Sequence, residues 1–108
     1  MNWTRALQQA KNDCEPSVLV SIIQVDGSAP RNVGARMVVC KSSQADTIGG
    51  GSLEFQAIKH ARHLLKADSV TARIESKTYS LGKALSQCCG GRVCIQYDLI
   101  PALSLIHI

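Results

Sequence analysis

SVLVSIIQV, residues 17–25, is nearly continuous in apolarity and rich in β-branched side chains. A run of that kind is a strand buried on both faces. The pattern breaks at once downstream. DGSAPRNVG, 26–34, is turn chemistry throughout, and Pro30 bars a central strand there. ARMVVC at 35–40 predicts a second strand and Lys41 to Asp46 a turn, after which Thr47-Ile48 runs as a short third strand into Gly49, Gly50 and Gly51. Upstream, Trp3, Ala6, Leu7, Ala10 and Cys14 recur at helical spacing, so an amphipathic helix precedes the strand and ends at Asn12-Asp13 and Pro16.

Ser52 is an N-cap residue for a second helix of about 52–67, whose apolar stripe is Leu53, Ala57, Ile58, Ala61, Leu64 and Leu65. Residues 69–79 alternate, with Val70, Ala72 and Ile74 on the apolar face and Thr71, Arg73, Glu75 and Lys77 on the other, as a half-exposed strand does. Ser80 to Gln87 predicts a short turn or helix, and RVCIQYDLI at 92–100 the last strand. The order α-β-β-β-α-β-β gives an α+β fold: a small mixed β-sheet of about five strands packed with two main helices, containing one right-handed βαβ crossover.

Composition bounds the rest. A chain of 108 residues is one domain, and 45% hydrophobic against 19% charged residues excludes disorder. No apolar run approaches the roughly 20 residues of a membrane span. Aromatic residues are 4%, so the core is expected to be Val, Ile, Leu and Ala. The charge of +4 is scattered and aromatic stacking platforms are missing, which argues against nucleic acid and for a small anionic ligand. Five cysteines, an odd set with no framework spacing and no secretory segment ahead of them, predict reduced thiols in a cytoplasm. Cys14 and Cys94 are expected in the core.

Five of the eight glycines fall in two clusters, Gly49–Gly51 and Gly90-Gly91. Glycine is costly unless the backbone needs positive φ or something must approach closely. The first cluster stands before a helix N-terminus, which favours an anion; a tight turn with close packing explains it equally well. Glu54, in the first turn, is either a dipole partner or a site residue beside the loop. Cys88-Cys89, between Gln87 and Gly90-Gly91 and beside Arg92, gives approachable thiols suited to a soft ligand or a persulfide; two small core residues are the plainer account. Arg31 sits on a stiff loop after Ser28-Ala29-Pro30, ahead of Gly34. His60 and His63 are three apart on the helix but lack a third ligand, and are read as surface residues.

GSAPRNVGARM at 27–37, TIGGGSLE at 47–54 and LGKALSQCCGGRV at 81–93 together, in that order, resemble the N-terminal domain of the XdhC/CoxI family of xanthine dehydrogenase accessory proteins. The resemblance covers roughly Trp3 to Leu99 and implies a domain of 1–100. It implies a non-enzymatic, cytoplasmic chaperone that binds molybdenum cofactor (molybdopterin) transiently and works with a cysteine desulfurase in its sulfuration. It also implies delivery of the cofactor to a xanthine dehydrogenase-type client. By the same resemblance Ser28, Arg31, Gly34, Gly49, Gly50, Gly51, Glu54, Gln87, Cys88, Cys89, Gly90 and Gly91 lie near the cofactor. Two rival expectations are a sulfurtransferase-like protein carrying persulfide on Cys88 or Cys89, and a pure dimerisation or docking module. Asp46 stands where the family commonly has glycine, and Ser52 where a small apolar residue or cysteine is common. The family's C-terminal Rossmann-like domain is absent from these 108 residues. The apolar tail 101–108 is expected to be a truncated or non-native stub. Phe55, projecting from the polar side of its helix, and the tail lead to the expectation of a homodimer.

Overall fold

The β-branched run at 17–25 forms the long central strand of a five-stranded sheet. A computed structural model describes residues 2–27, 32–67, 71–80 and 91–101. In chain order the elements are α1 (Trp3–Asn12), β1 (Ser17–Asp26), β2 (Arg36–Val39), β3 (Gln44–Asp46), α2 (Gly51–Ala67), β4 (Arg73–Ser80) and β5 (Arg92–Ile100). The sheet order is β3-β2-β1-β5-β4, and all four neighbouring pairs are antiparallel. The α+β fold with about five strands and two main helices is as expected, but the sheet is antiparallel rather than mixed. Four antiparallel steps leave β3 and β4 pointing the same way on opposite edges. The β3-α2-β4 connection therefore crosses the whole sheet, and no parallel pair adjoins it.

Two apolar layers flank β1. On one face Val18, Val20 and Ile22 pack with Met37, Val39, Val93, Ile95, Tyr97 and Leu99 beneath Leu53, Ala57, Ala61, Leu64 and Leu65 of α2. On the other, Ala6 and Ala10 of α1 close over Val38 and Cys40, with Leu19 partly buried among them. Burial on both faces holds for Ser17 to Ile22 and fails from Ile23 onward. A β-bulge between Ile22 and Gln24 inserts Ile23 as an extra residue and leaves it 43% exposed. The insertion resets the alternation, so Val25 rather than Gln24 packs on the α2 side.

Five local expectations are corrected. The predicted turn 41–46 contains β3, because the chain reverses within Cys40–Ser43, where Cys40 N–H donates to Ser43 O at 2.8 Å, and pairs again. Ser52 lies inside α2, which already starts at Gly51, and its hydroxyl takes a bond from Gln56 instead of capping. The face assignment of β4 is inverted: Ile74 is 63% exposed, while Tyr79 is buried. Register decides this, since Tyr79 sits opposite Val93 and Glu75 opposite Tyr97, both on the α2 side, whereas Ile74 faces Asp98 on the other. Nor is the core purely aliphatic, because Tyr97 is the largest fully buried side chain. Cys14 is exposed and Cys94 half-buried, so neither belongs to the core, whereas Cys40 is buried.

Candidate functional site

The strand ends that carry the three motifs lie at one end of the sheet. Antiparallel pairing brings the C-terminal ends of β1, β3 and β4 to the same side as the N-terminal ends of β2 and β5. Asp26 thus pairs with Arg92, and Arg92 with Ser80. The chain enters the first motif from Asp26, the second from Asp46 and the third from Ser80. Gly34, Gly49, Gly50, Gly51, Glu54 and Gly91 are described at this end; Ser28, Arg31, Gln87, Cys88, Cys89 and Gly90 lie outside the described residues.

Gly49, Gly50 and Gly51 all have positive φ, at 124°, 76° and 74°. Only glycine takes three such residues in succession without strain. At Gly50 an added Cβ would meet nothing within 4 Å, so the requirement for glycine there is conformational.

Glu54 closes this loop. Its Oε1 accepts the Ile48 and Gly50 N–H groups, each at 3.0 Å, and the Thr47 hydroxyl as well. Thr47 Oγ1 in turn accepts the Gly49 N–H at 3.0 Å. The carboxylate reaches back from the first turn of α2 as the glutamate of a capping box does, and it holds donors that a bound anion would otherwise use. The sequence reading leaves Glu54 as a dipole partner or a site residue beside the loop; the structure shows it as an acceptor for the loop's own backbone. Asp46 supports the loop from the other side. It adopts φ 69°, a left-handed conformation that suits the glycine common there in the resembling family. Its carboxylate accepts the Trp3 N–H at 3.0 Å and the Thr47 N–H at 2.9 Å, tying the start of α1 to the end of β3.

Sequence spacing alone missed a second polar group, between α2 and β4. His60 Nε2 lies 2.9 Å from Glu75 Oε2, and its ring meets Tyr97 edge-on at 4.6 Å. The Tyr97 and Tyr79 hydroxyls are hydrogen-bonded to each other. Burial pushes the Tyr97 and Tyr79 phenols up, further for Tyr97. Among the described residues, no group of three or more His, Cys, Asp or Glu side chains is placed to hold a metal ion.

A family model described as the XdhC and CoxI family matches residues 10–75, more than half of the chain. The chain belongs to the XdhC and CoxI family. Its fold is shared with a solved structure of a xanthine dehydrogenase from Bacillus halodurans, with a TM-score of 0.70 and 23% identity. That similarity covers 99% of this chain and 33% of the other, so the XdhC and CoxI chain described here spans about a third of its length. No curated protein matches significantly. No helix among the described residues is long and apolar enough to cross a membrane.

Proposed function

We propose that this XdhC/CoxI domain serves the maturation of a xanthine dehydrogenase-type enzyme by binding molybdenum cofactor and presenting it for sulfuration and insertion. It does so as an accessory protein with no reaction of its own. The observation that carries this reading is that the strand ends leading into all three motifs lie at one end of the sheet, within a chain that belongs to the family. When bound, the cofactor supplies a dithiolene-held molybdenum and a terminal phosphate.

The described residues fit part of that group. Gly50 has room where a Cβ would stand, which favours the approach of a planar pterin from that side. The Ile48 and Gly50 N–H groups are held by Glu54, so they do not receive the phosphate while those bonds are made. Cys88 and Cys89, outside the described residues, are the soft ligands this reading assigns to the metal. A cysteine desulfurase is the sulfur donor it requires, and a homodimer through Phe55, 68% exposed on α2, the assembly it favours.

The test is retention of cofactor through gel filtration, read as molybdenum and pterin in the protein peak. Wild type retains both. Cys88→Ser and Cys89→Ser lose them without a change in melting temperature, and Cys40→Ser changes only the melting temperature. A wild-type protein that emerges free of molybdenum under reducing conditions overturns the reading. A doublet that carries labelled persulfide yet retains no cofactor favours the sulfurtransferase-like rival.

A further inference from the structure

α2 presents Gln56, Lys59, His60 and His63 at i, i+3, i+4 and i+7, which is one face of the helix. β4 turns Lys77 and Tyr79, two apart, toward the same side. Together these six residues line a cleft of ≈ 340 Å³. None of the six is a carboxylate. The Lys59 and Lys77 ammonium groups, the His63 imidazole and the Gln56 amide are the donors that face the space, since the Tyr79 hydroxyl is bonded to buried Tyr97 and His60 Nε2 meets Glu75.

These groups are held by the framework. Lys77 Nζ lies 5.6 Å from the centroid of the Tyr79 ring, a cation–π contact. Tyr79 is fixed by its bond to the fully buried Tyr97. His60 is braced by Tyr97 on one side and Glu75 on the other, and its ring stands 6.4 Å from that of His63. Glu75, the carboxylate that meets His60, is outside the lining and also lies 4.0 Å from Arg73. At the glycine loop, by contrast, Glu54 already occupies the donors of Ile48 and Gly50.

We infer that the cleft between α2 and β4 lined by Gln56, Lys59, His60, His63, Lys77 and Tyr79 binds a phosphate-class dianion. Resting on the cofactor reading above, the same cleft is the seat of the cofactor's phosphate end, and the glycine loop is not. Tyr79 is one residue from Ser80, where the chain enters the cysteine-bearing motif, so the cleft borders the motif end of the sheet. A phosphate offers oxygens enough to engage several of these donors at once, and charge-assisted bonds of that type are the strong ones.

The experiment is an NMR titration of the full chain with inorganic phosphate at constant ionic strength. It follows the His60 and His63 ring signals and the backbone amides. Saturable shifts are expected at those rings and at Lys77 and Tyr79, with Gly49 and Gly50 unmoved. The double variant Lys59→Ala/Lys77→Ala, in which both changed side chains are exposed, weakens binding about tenfold. Shifts centred on Gly49 to Gly51, non-saturating shifts, or equal affinity in the double variant overturn the inference.

Cofactor retention by the same variant separates the two readings. Wild type that retains cofactor beside a double variant that loses it supports the phosphate seat. Equal retention removes the cofactor from this cleft while the function stands. A phosphate site that titrates as expected in a protein retaining no cofactor leaves the cleft standing and fails the function.

Discussion

Glu54, Asp46 and Cys14 each hold the backbone in a conformation their sequence neighbours do not supply. Glu54→Ala strips the acceptor from two part-buried N–H groups and a hydroxyl. A loss of about 2–3 kcal/mol is expected, read from urea midpoints, with faster hydrogen exchange at Ile48 and Gly50. Glu54→Gln keeps an acceptor oxygen and loses less. In Glu54→Ala, inorganic phosphate should also shift the loop amides it leaves alone in wild type. Asp46 allows a sharper comparison. Glycine there relieves the left-handed backbone while losing the bonds to Trp3 and Thr47; alanine loses the bonds and keeps the strain. Asp46→Ala is therefore expected to melt below Asp46→Gly, by about 1 kcal/mol of stability. Cys14, exposed at φ 54°, takes the place of a helix-ending glycine, with Glu15 N–H bonding Ala10 O at 2.9 Å. Cys14→Gly should stabilise by about 1 kcal/mol in the same urea assay.

The buried polar pair between α2, β4 and β5 sets a pH dependence. Desolvation raises the Tyr97, Tyr79 and Cys40 acids; Glu15 adds to the rise at Cys40 while Ser43 and Arg62 oppose it. The folded chain keeps protons that the unfolded chain releases at the usual thiol and phenol values. The stabilisation is therefore complete below about pH 8 and falls as pH rises through the usual thiol and then the usual phenol values, by at most about 1.4 kcal/mol per pH unit for a group protonated in one state only. Urea midpoints from pH 7 to 11 check this, and Tyr79→Phe/Tyr97→Phe should flatten the fall above about pH 10. Central elements were the most legible in the sequence: β1, β5 and the α2 stripe are dictated by burial, which composition records directly. β4 was not, because an edge strand follows its partner's register, and its inward positions hold Glu75 and Tyr79 in place of aliphatic residues. Gly49–Gly51 announced an unusual backbone, but whether Glu54 would face a ligand or its own loop depended on distances that spacing does not carry. The His60–Glu75 contact joins residues on separate elements and left no local sign.

For the molecule as a whole, Phe55→Asp tests the proposed self-association: light scattering at micromolar concentration should show wild-type dimers and variant monomers. Failure to dissociate removes Phe55 from the interface. The sheet order also governs how the chain becomes ordered. β1 lies at the centre, yet one neighbour follows it directly and the other arrives last, with Ser17 pairing with Ile100 and Asp26 with Arg92. A topology whose longest ladder joins distant segments has a high contact order, and its closure is slow. During synthesis SVLVSIIQV therefore stands with one hydrogen-bonding edge open until residue 100 has left the ribosome, the condition under which apolar strands pair with other chains. Pulse-labelled exchange during refolding is expected to protect the β1–β2 amides before those of β4. Nascent chains arrested between α2 and β5 should depend on a holdase that the finished sheet no longer needs.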